Sequence, residues 1–412
     1  MNDDNHTLPS WVYHDARFFD LERSAIFSTN WNLACHVSEI ASPGDYVTLK
    51  LASERAVVTR LEDGTVKAFH NTCRHRAHQV VGAERGHCQR VHVCPYHGWT
   101  YNPDGSLRGI PGGTEQDVAQ AGGLPPIETE VFAGFVWIRF QSGGPSVAQR
   151  LAKYKDLLSA YRIEDMRSNQ DRAVEEHAID WKNMMDNYLE GYHVPKGHPG
   201  LNRMVESRYD VQADPVSGTS FATHLLRSEP AGGPDEFAYL SIRSSGSHLP
   251  GDYGRRWSYL SLFPSVNIGL QPESIDYFAI YPIGPGRAVY RTESFSLPDA
   301  RPEVQAARIA AGRVWEQVQA EDNALTESVQ RGLEGSSYRH GYLSPQEPGV
   351  RAFRDWIRER LPIARQETRP WDAKVAGAPP TPRLEAIEPP RAAPTQPGFS
   401  RVPESQPKVS AR

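Results

Sequence analysis

Apolar and polar positions change period several times along the chain. In FFDLERSAIFSTNW (residues 18–31), Leu21, Ile26 and Phe27 recur at helical spacing with charges between them, which predicts a helix. From Gly44 the period shortens. DYVTLKLA, RAVVTRLEDGTVKAFHN, RVHVCPYHGWTYNPDGSL and VFAGFVWIRF alternate apolar and polar residues, as half-buried strands do. Asp63-Gly64 and Asp104-Gly105 fall between such runs as hairpin turns. The pattern predicts a small antiparallel β domain over residues 39–150. Residues 1–38 form an N-terminal segment ahead of it, expected to pack on the domain that follows. A helical linker is expected from Tyr154 to Tyr161.

A second domain is expected over residues 151–365. DWKNMMDNYLEGYH (Asp180–His193) has helical texture, and Pro195 with the glycine-rich KGHPGL ends it. Short strands return over residues 206–298. PEVQAARIAAGRVWEQVQAEDNALTESVQRGL reads as one long helix and GVRAFRDWIRERL as another. Residues 366–412 are rich in Pro, Ala, Arg and Glu with few aromatics, the composition of a disordered tail. The expected fold class is therefore α+β, a small β domain followed by a larger mixed one.

Length and charge narrow the chemistry. The 412 residues suffice for two domains, and a formal net charge of −5 gives no electrostatic case for nucleic acid. The start, MNDDNHTLPS, lacks the basic and apolar character of a signal peptide, and no apolar run approaches the roughly 20 residues that span a bilayer. A cytoplasmic location without membrane attachment is the expectation. Thiols stay reduced there, so clustered cysteines serve metal or catalysis more often than disulfides.

CRHRAHQVVGAERGHCQRVHVCPYHGW (residues 73–99) holds three of the four cysteines and five of the fifteen histidines. Within it lie Cys73-x-His75 and Cys94-x2-His97, separated by 18 residues. Each pair falls on a tight loop between strands and offers one thiolate and one imidazole. Two such loops could make a Cys2His2 zinc site. They could equally bind a [2Fe–2S] cluster, both cysteines on one iron and both histidines on the other. His78, His87 and His92 read as ordinary surface or packing residues, Cys88 as a free thiol, and Cys35 as a small buried residue.

This stretch resembles the Rieske domain of the Rieske-type non-haem iron oxygenases, whose pattern is C-x-H, a gap of this length, then C-x2-H. One departure is Ala77, where members of the family usually carry Gly. The resemblance runs over roughly residues 8–362, from LPSWVYHDARFFDLERSAIFSTNW to ESVQRGLEGSSYRHGYLSPQE. It implies the α (terminal oxygenase) subunit, with a helix-grip (START-like) catalytic domain whose curved antiparallel sheet stands beside the Rieske domain. It also implies a head-to-tail trimer, with or without a β subunit.

The second domain carries NYLEGYHVPKGHPGL. His193 and His198 are five apart with Pro195 between them, so both can point inward only if the helix breaks and turns back. Two imidazoles and a carboxylate make the facial triad of non-haem Fe(II) oxygenases. QAEDNALTESVQRGL offers Glu321 and Asp322, and the resemblance implies Asp322 as the third ligand. Glu321 would point about 100° away around the helix. Glu190, three residues before His193, is expected on the same helix face. The resemblance gives it the role of an acidic bridge to the Rieske histidine of a neighbouring subunit.

Such an oxygenase takes electrons from outside. The chain has no G-x-G-x-x-G after a strand, so a partner NAD(P)H-dependent reductase, alone or with a ferredoxin, is implied. A Rieske electron-transfer protein is the competing reading, which His193, His198 and Asp322 oppose. The resemblance extends both to aromatic-ring hydroxylases and to the choline, carnitine and betaine monooxygenase group. Trp257, Tyr259, Phe263, Phe278 and Tyr281 could line an apolar pocket or an aromatic cage, although such strand aromatics are more often plain core. With no acid fixed for a cage, the expectation leans to an aromatic substrate.

Overall fold

Strand alternation and turn glycines organise the first half of the chain. The computed structural model describes residues 5–206, 209–229, 232–242 and 248–372. The fold below is that of the unit Met1–Pro370. Residues 373–412, most of the expected tail, lie outside the described residues.

Asp15 starts the first α-helix, Ala16–Glu22, by accepting hydrogen bonds from the backbone N–H groups of Arg17 and Phe18. The helix does not continue to Trp31 as expected. It widens into a π turn at Arg23–Phe27. Ser28, Thr29 and Asn30 then turn side chains back onto the carbonyls of Arg23, Ala25 and Ile26, which offers the backbone an end.

β1 (Asn32–His36) follows. It pairs with β10 (Phe135–Arg139) and so joins the first sheet rather than the segment ahead of it. That antiparallel sheet is completed by β2 (Asp45–Leu51), β3 (Glu54–Arg60), β4 (Val66–His70), β5 (Arg85–His87) and β9 (Pro126–Phe132), in the order β1-β10-β9-β4-β3-β2-β5. A small sheet of β6 (His92–Val93), β7 (Thr100–Tyr101) and β8 (Leu107–Gly109) stands apart from it. One cysteine loop leaves β4; the other joins β6 to β7. Both cysteines sit in a core with Val57, Phe69, Tyr101 and Leu107.

The second domain is built on an eight-stranded sheet. Its strands are β11 (Arg167–Ser168), β12 (Ala173–His177), β13 (Asp210–Asp214), β14 (Thr219–Leu225), β15 (Arg256–Leu262), β16 (Val266–Leu270), β17 (Ile275–Gly284) and β18 (Arg287–Ser296). The order is β11-β18-β17-β16-β15-β14-β13, with β12 also on β18, and every pairing is antiparallel. β15 and β16 are buried almost throughout, because the sheet is covered on both faces. The side chains of Tyr281 on β17 and Arg291 on β18 donate to the carbonyls of Leu33 and Ala34 on β1, tying this sheet to the first.

The helix Trp181–Tyr188 and the long helix Pro302–Leu333 lie against each other through a run of polar contacts. The Asp180 N–H donates to Gln330 Oε1 (2.9 Å), Asn183 Nδ2 to the Thr326 carbonyl (2.9 Å) and Asn187 Nδ2 to Asp322 Oδ1 (3.0 Å). Ascending residue numbers on one helix meet descending numbers on the other, a turn at a time. Buried polar groups of this kind specify one register, because a slip would leave several unpaired. The register they specify fixes where Asp322 stands.

Candidate redox and metal sites

The two cysteine loops close in the same way. Cys73 N–H donates to the His78 carbonyl and Ala77 N–H returns to the Cys73 carbonyl (2.8 and 3.1 Å). Cys94 N–H donates to the Trp99 carbonyl and Gly98 N–H returns to the Cys94 carbonyl (2.8 and 3.0 Å). Both thiols are buried, while the rings of His75 and His97 are exposed and 4.6 Å apart. Trp99 stacks on His75 and Tyr96 lies over His97.

Two supports were not anticipated from the sequence. Buried Asn71 ties the ends of the first loop, accepting from the N–H groups of Val80 and Val81 and donating to the Val81 carbonyl. The Tyr101 hydroxyl lies 3.2 Å from Cys73 Sγ and accepts from the Arg74 N–H. Burial, then the bond to Cys73, raises its pKa, so it stays protonated and able to donate to the sulfur. A lone Asn or Tyr at these positions carries no sequence signal beyond its neighbours.

Among the described residues, the three-donor groups tight enough for a single ion comprise His193, His198 and Asp322, and not the four residues of these loops. Two buried thiols and two outward imidazoles, spread in this way, suit a two-iron unit better than one tetrahedral zinc. His87 pairs with Asp45, His78 bonds the Gln79 carbonyl and His92 packs edge-on against Tyr46, all away from cluster ligation. Cys35 and Cys88 are free and buried.

The second site departs from expectation in its backbone. The helix ends at Tyr188, not at His193, so Glu190 and His193 do not share a helix face. Glu190 instead folds over the turn that follows. Its Oε2 accepts from the N–H groups of Tyr192 and His193, and its Oε1 lies 2.5 Å from His193 Nδ1. Gly191 is needed within this turn, since a Cβ there would come within 2.4 Å of the Tyr209 ring. A short helix, Val194–Gly197, then reverses the chain, and His198 opens another, Pro199–Met204.

The reversal brings the two imidazoles together. His193 Nε2 and His198 Nε2 are 3.1 Å apart, and Asp322 Oδ1 lies 3.5 and 3.0 Å from them. One atom from each of the three residues falls within 4.8 Å of the others. Glu321 also reaches this site, against expectation: its Oε2 is 2.8 Å from His198 Nδ1. Burial works against charge on both histidines. The hydrogen bonds to Asp322 and the outer carboxylates outweigh it, lifting His193 to about 9 and raising His198. Burial likewise pushes Asp322 up, but the two imidazoles overcome it and hold the carboxyl at about 2. Three carboxylates gathered on two imidazoles make a negative pocket, which a divalent cation fits with its ligands deprotonated.

A cavity of about 1170 Å³ adjoins His193 and is lined by Glu190, Val205, Glu206, Tyr209, His224 and Arg227 among others. Tyr209 and His224 lie with ring centroids 4.7 Å apart. None of the five aromatics that could have lined a pocket or cage lines it, in keeping with their commoner role as core. Trp257 stacks on Trp315, Phe263 packs on Phe353 and Trp356, and Tyr281 reaches β1, so these fill the layers between sheet and helices. Tyr259 stands behind Tyr209, and Phe278 stacks on Tyr188.

Comparison with known proteins extends these findings. Residues 30–122 match the family "Rieske [2Fe-2S] domain" and residues 163–363 match "Ring hydroxylating alpha subunit (catalytic domain)". The chain is 30% identical over 373 residues to the chloroplastic choline monooxygenase of Spinacia oleracea, covering 87% of this chain and 79% of that protein. It is 27% identical over 407 residues to the glycine betaine monooxygenase oxygenase subunit of Pseudomonas aeruginosa, covering 91% and 94%. The crystal structure of the quaternary ammonium Rieske monooxygenase CntA in complex with L-carnitine superposes with a TM-score of 0.69 at 25% identity, covering 88% of this chain and 96% of that one. No described helix is long and apolar enough to cross a membrane. With a Rieske cluster and a mononuclear iron as its cofactors, the chain belongs to the Rieske-type non-haem iron oxygenases, as a terminal oxygenase subunit.

Proposed function

We propose that this oxygenase subunit monooxygenates a quaternary ammonium compound. The observation that carries the reading is the cavity beside His193, which the paired Tyr209 and His224 rings line together with Glu206 and Asp210. The face of a tyrosine attracts a cation by about 0.5–2 kcal/mol, more as water is excluded, and carboxylates add to that. Arg227 and Lys196 line the same cavity and suit a substrate that also carries a carboxylate. The relatives named above act on choline, glycine betaine and carnitine according to their names. This displaces the leaning toward an aromatic substrate, which rested on the lack of an acid fixed for a cage, since Glu206 and Asp210 both line the cavity.

In this reading Cys73, His75, Cys94 and His97 hold the cluster, and His193, His198 and Asp322 hold the mononuclear iron. When bound, the cluster supplies single electrons and the iron supplies open positions for dioxygen. The chain's own residues arrange the rest. Tyr101 and the loop N–H groups surround the sulfurs, and His75 and His97 present the exposed side of the site for electron exchange. Glu190 links His193 to a Rieske histidine of a neighbouring subunit in a head-to-tail homotrimer. The structure of a quaternary ammonium Rieske monooxygenase, 25% identical to this chain, gives insights into inter-subunit electron transfer, which supports such an arrangement. The electrons come from a separate NAD(P)H-dependent reductase, directly or through a ferredoxin.

The test supplies the purified protein with a surrogate reductase, NADH and 18O2. Choline, glycine betaine, carnitine and naphthalene are offered in parallel, with products followed by mass spectrometry. Conversion of one of the amines, with one O2 and one NADH consumed per product and naphthalene left untouched, supports the reading. Two labelled oxygens in naphthalene, with no turnover of the amines, would reverse it.

A further inference from the structure

His198 is held from two sides by adjacent residues of one helix. Asp322 Oδ1 faces its Nε2 at 3.0 Å, and Glu321 Oε2 faces its Nδ1 at 2.8 Å. Neighbouring positions on a helix diverge by about 100°, so the two side chains straddle the ring rather than compete for one place. Glu321 is itself fixed, because its Oε1 accepts from Gln317 Nε2 (3.0 Å) one turn earlier. His198 is 1% exposed, so few waters can replace Glu321 as acceptor. The backbone of His198 is bonded to Val194 and Asn202, which leaves the orientation of the ring to its side-chain partners.

We infer that Glu321 is a positioning residue: it takes the Nδ1–H of His198, fixes the tautomer that leaves Nε2 free for metal, and holds the ring against flipping. This rests on the proposed role of His198 as an iron ligand. A ring flip would exchange Nδ1 for a carbon and lose the Glu321 bond, while the wrong tautomer would aim a proton at the metal. A carboxylate behind a ligand histidine also raises its basicity, and removing such a partner commonly costs 10–100-fold in metal affinity. Glu190 stands in the same relation to His193 from its own turn, so each imidazole has a separate carboxylate behind it.

The test compares full-length wild type with Glu321→Ala, Glu321→Gln, Asp322→Ala and His198→Ala. Fe(II) affinity is measured by chelator competition, and the ferrous site is probed by the EPR spectrum of its nitric oxide adduct. The reduced-cluster spectrum and thermal midpoint serve as controls. Glu321→Ala should weaken iron about 10–100-fold and alter the nitrosyl spectrum, with the cluster signal unchanged. Glu321→Gln keeps an acceptor oxygen and should recover much of the loss. Wild-type affinity and spectrum in Glu321→Ala would overturn the inference and make Glu321 a plain helix acid. So would loss of iron in both Glu321 variants as complete as in Asp322→Ala, which would make Glu321 a ligand. Unchanged affinity in His198→Ala would instead remove the ligand reading on which the inference stands.

Discussion

Ala77 occupies, in the first cysteine loop, the left-handed position that Gly98 occupies in the second. Their φ angles are +58° and +72°, and each follows its cysteine by four residues. Glycine adopts this conformation freely, whereas a Cβ there crowds the following carbonyl at a cost of roughly 1–2 kcal/mol. The departure seen at Ala77 in the sequence therefore has a physical consequence, since the loop is held left-handed with the wrong residue for it. Ala77→Gly should relieve that strain, in part offset by the greater freedom of the unfolded chain. The expected outcome is slower loss of the cluster's visible absorption on heating. Faster loss would mean that the Ala77 methyl packs usefully in the loaded loop.

Removing a proposed mononuclear ligand should leave the cluster intact. His193→Ala and Asp322→Ala each take one of three donors from a site built on the second domain's helices, while the cluster loops belong to the first domain's sheets. Iron per chain should fall from about three to about two, the sum of one and two ions that the two sites call for. Product formation should stop while the reduced-cluster EPR signal persists. Loss of the cluster signal in either variant would show that the two domains are coupled through these residues.

Glu190→Gln should separate iron binding from electron delivery. Glu190 uses one oxygen on His193 and the other on two backbone N–H groups. An amide has a single acceptor oxygen and no charge, so it cannot serve the turn, the imidazole and a neighbouring subunit's histidine together. Three irons and the proposed trimer should be retained. In single turnover with substrate and oxygen, cluster reoxidation should slow by at least tenfold, corresponding to about 1.4 kcal/mol. Reoxidation at the wild-type rate would leave Glu190 a structural cap of its turn.

Much of the proposed cluster site stands out in the sequence because the residues assigned to it are close together and their types are rare. Cys73, His75, Cys94 and His97 lie within one run of alternating strands. The mononuclear site was harder. Periodicity carried the helix from Asp180 through His193, yet it stops at Tyr188, where the Glu190 carboxylate takes over the N–H groups of the turn. A pattern of apolar positions does not register such a side-chain cap. Glu321 and Asp322 were visible as a pair, but how they divide the two faces of His198 depends on the contacts between distant helices, from Asp180 with Gln330 to Asn187 with Asp322. The aromatics failed as pocket markers because core and cavity walls use the same residue types.

A last prediction concerns how the N-terminal segment is fastened to the helix that leads into the site. Lys182, fully buried, lies 2.6 Å from Glu22 at the end of the first helix and 2.7 Å from Asp180. Its ammonium also faces the rings of Tyr13, Phe18 and Trp181. One cation thus meets two buried acids. Burial raises Glu22, only partly countered by Lys182, and its pKa reaches about 7; Asp180 is raised for the same reasons. Glu22 therefore retains a proton in the folded chain at pH values where the unfolded chain, near 4.5, has lost it. Its contribution to stability is complete below about 4.5 and is lost as pH rises toward about 7, because the unfolded state then binds fewer protons. Glu22→Gln keeps an acceptor for Lys182 without the titration. Its thermal midpoint, followed by circular dichroism, should fall less than that of wild type between pH 5 and pH 8 (roughly one pH unit beyond the titrating range on the alkaline side). Lys182→Met should do the opposite and strand two carboxylates, at a cost on the order of 3–5 kcal/mol. Equal pH slopes in wild type and Glu22→Gln would show that Glu22 is already ionised through this range and that Lys182 suffices for both acids.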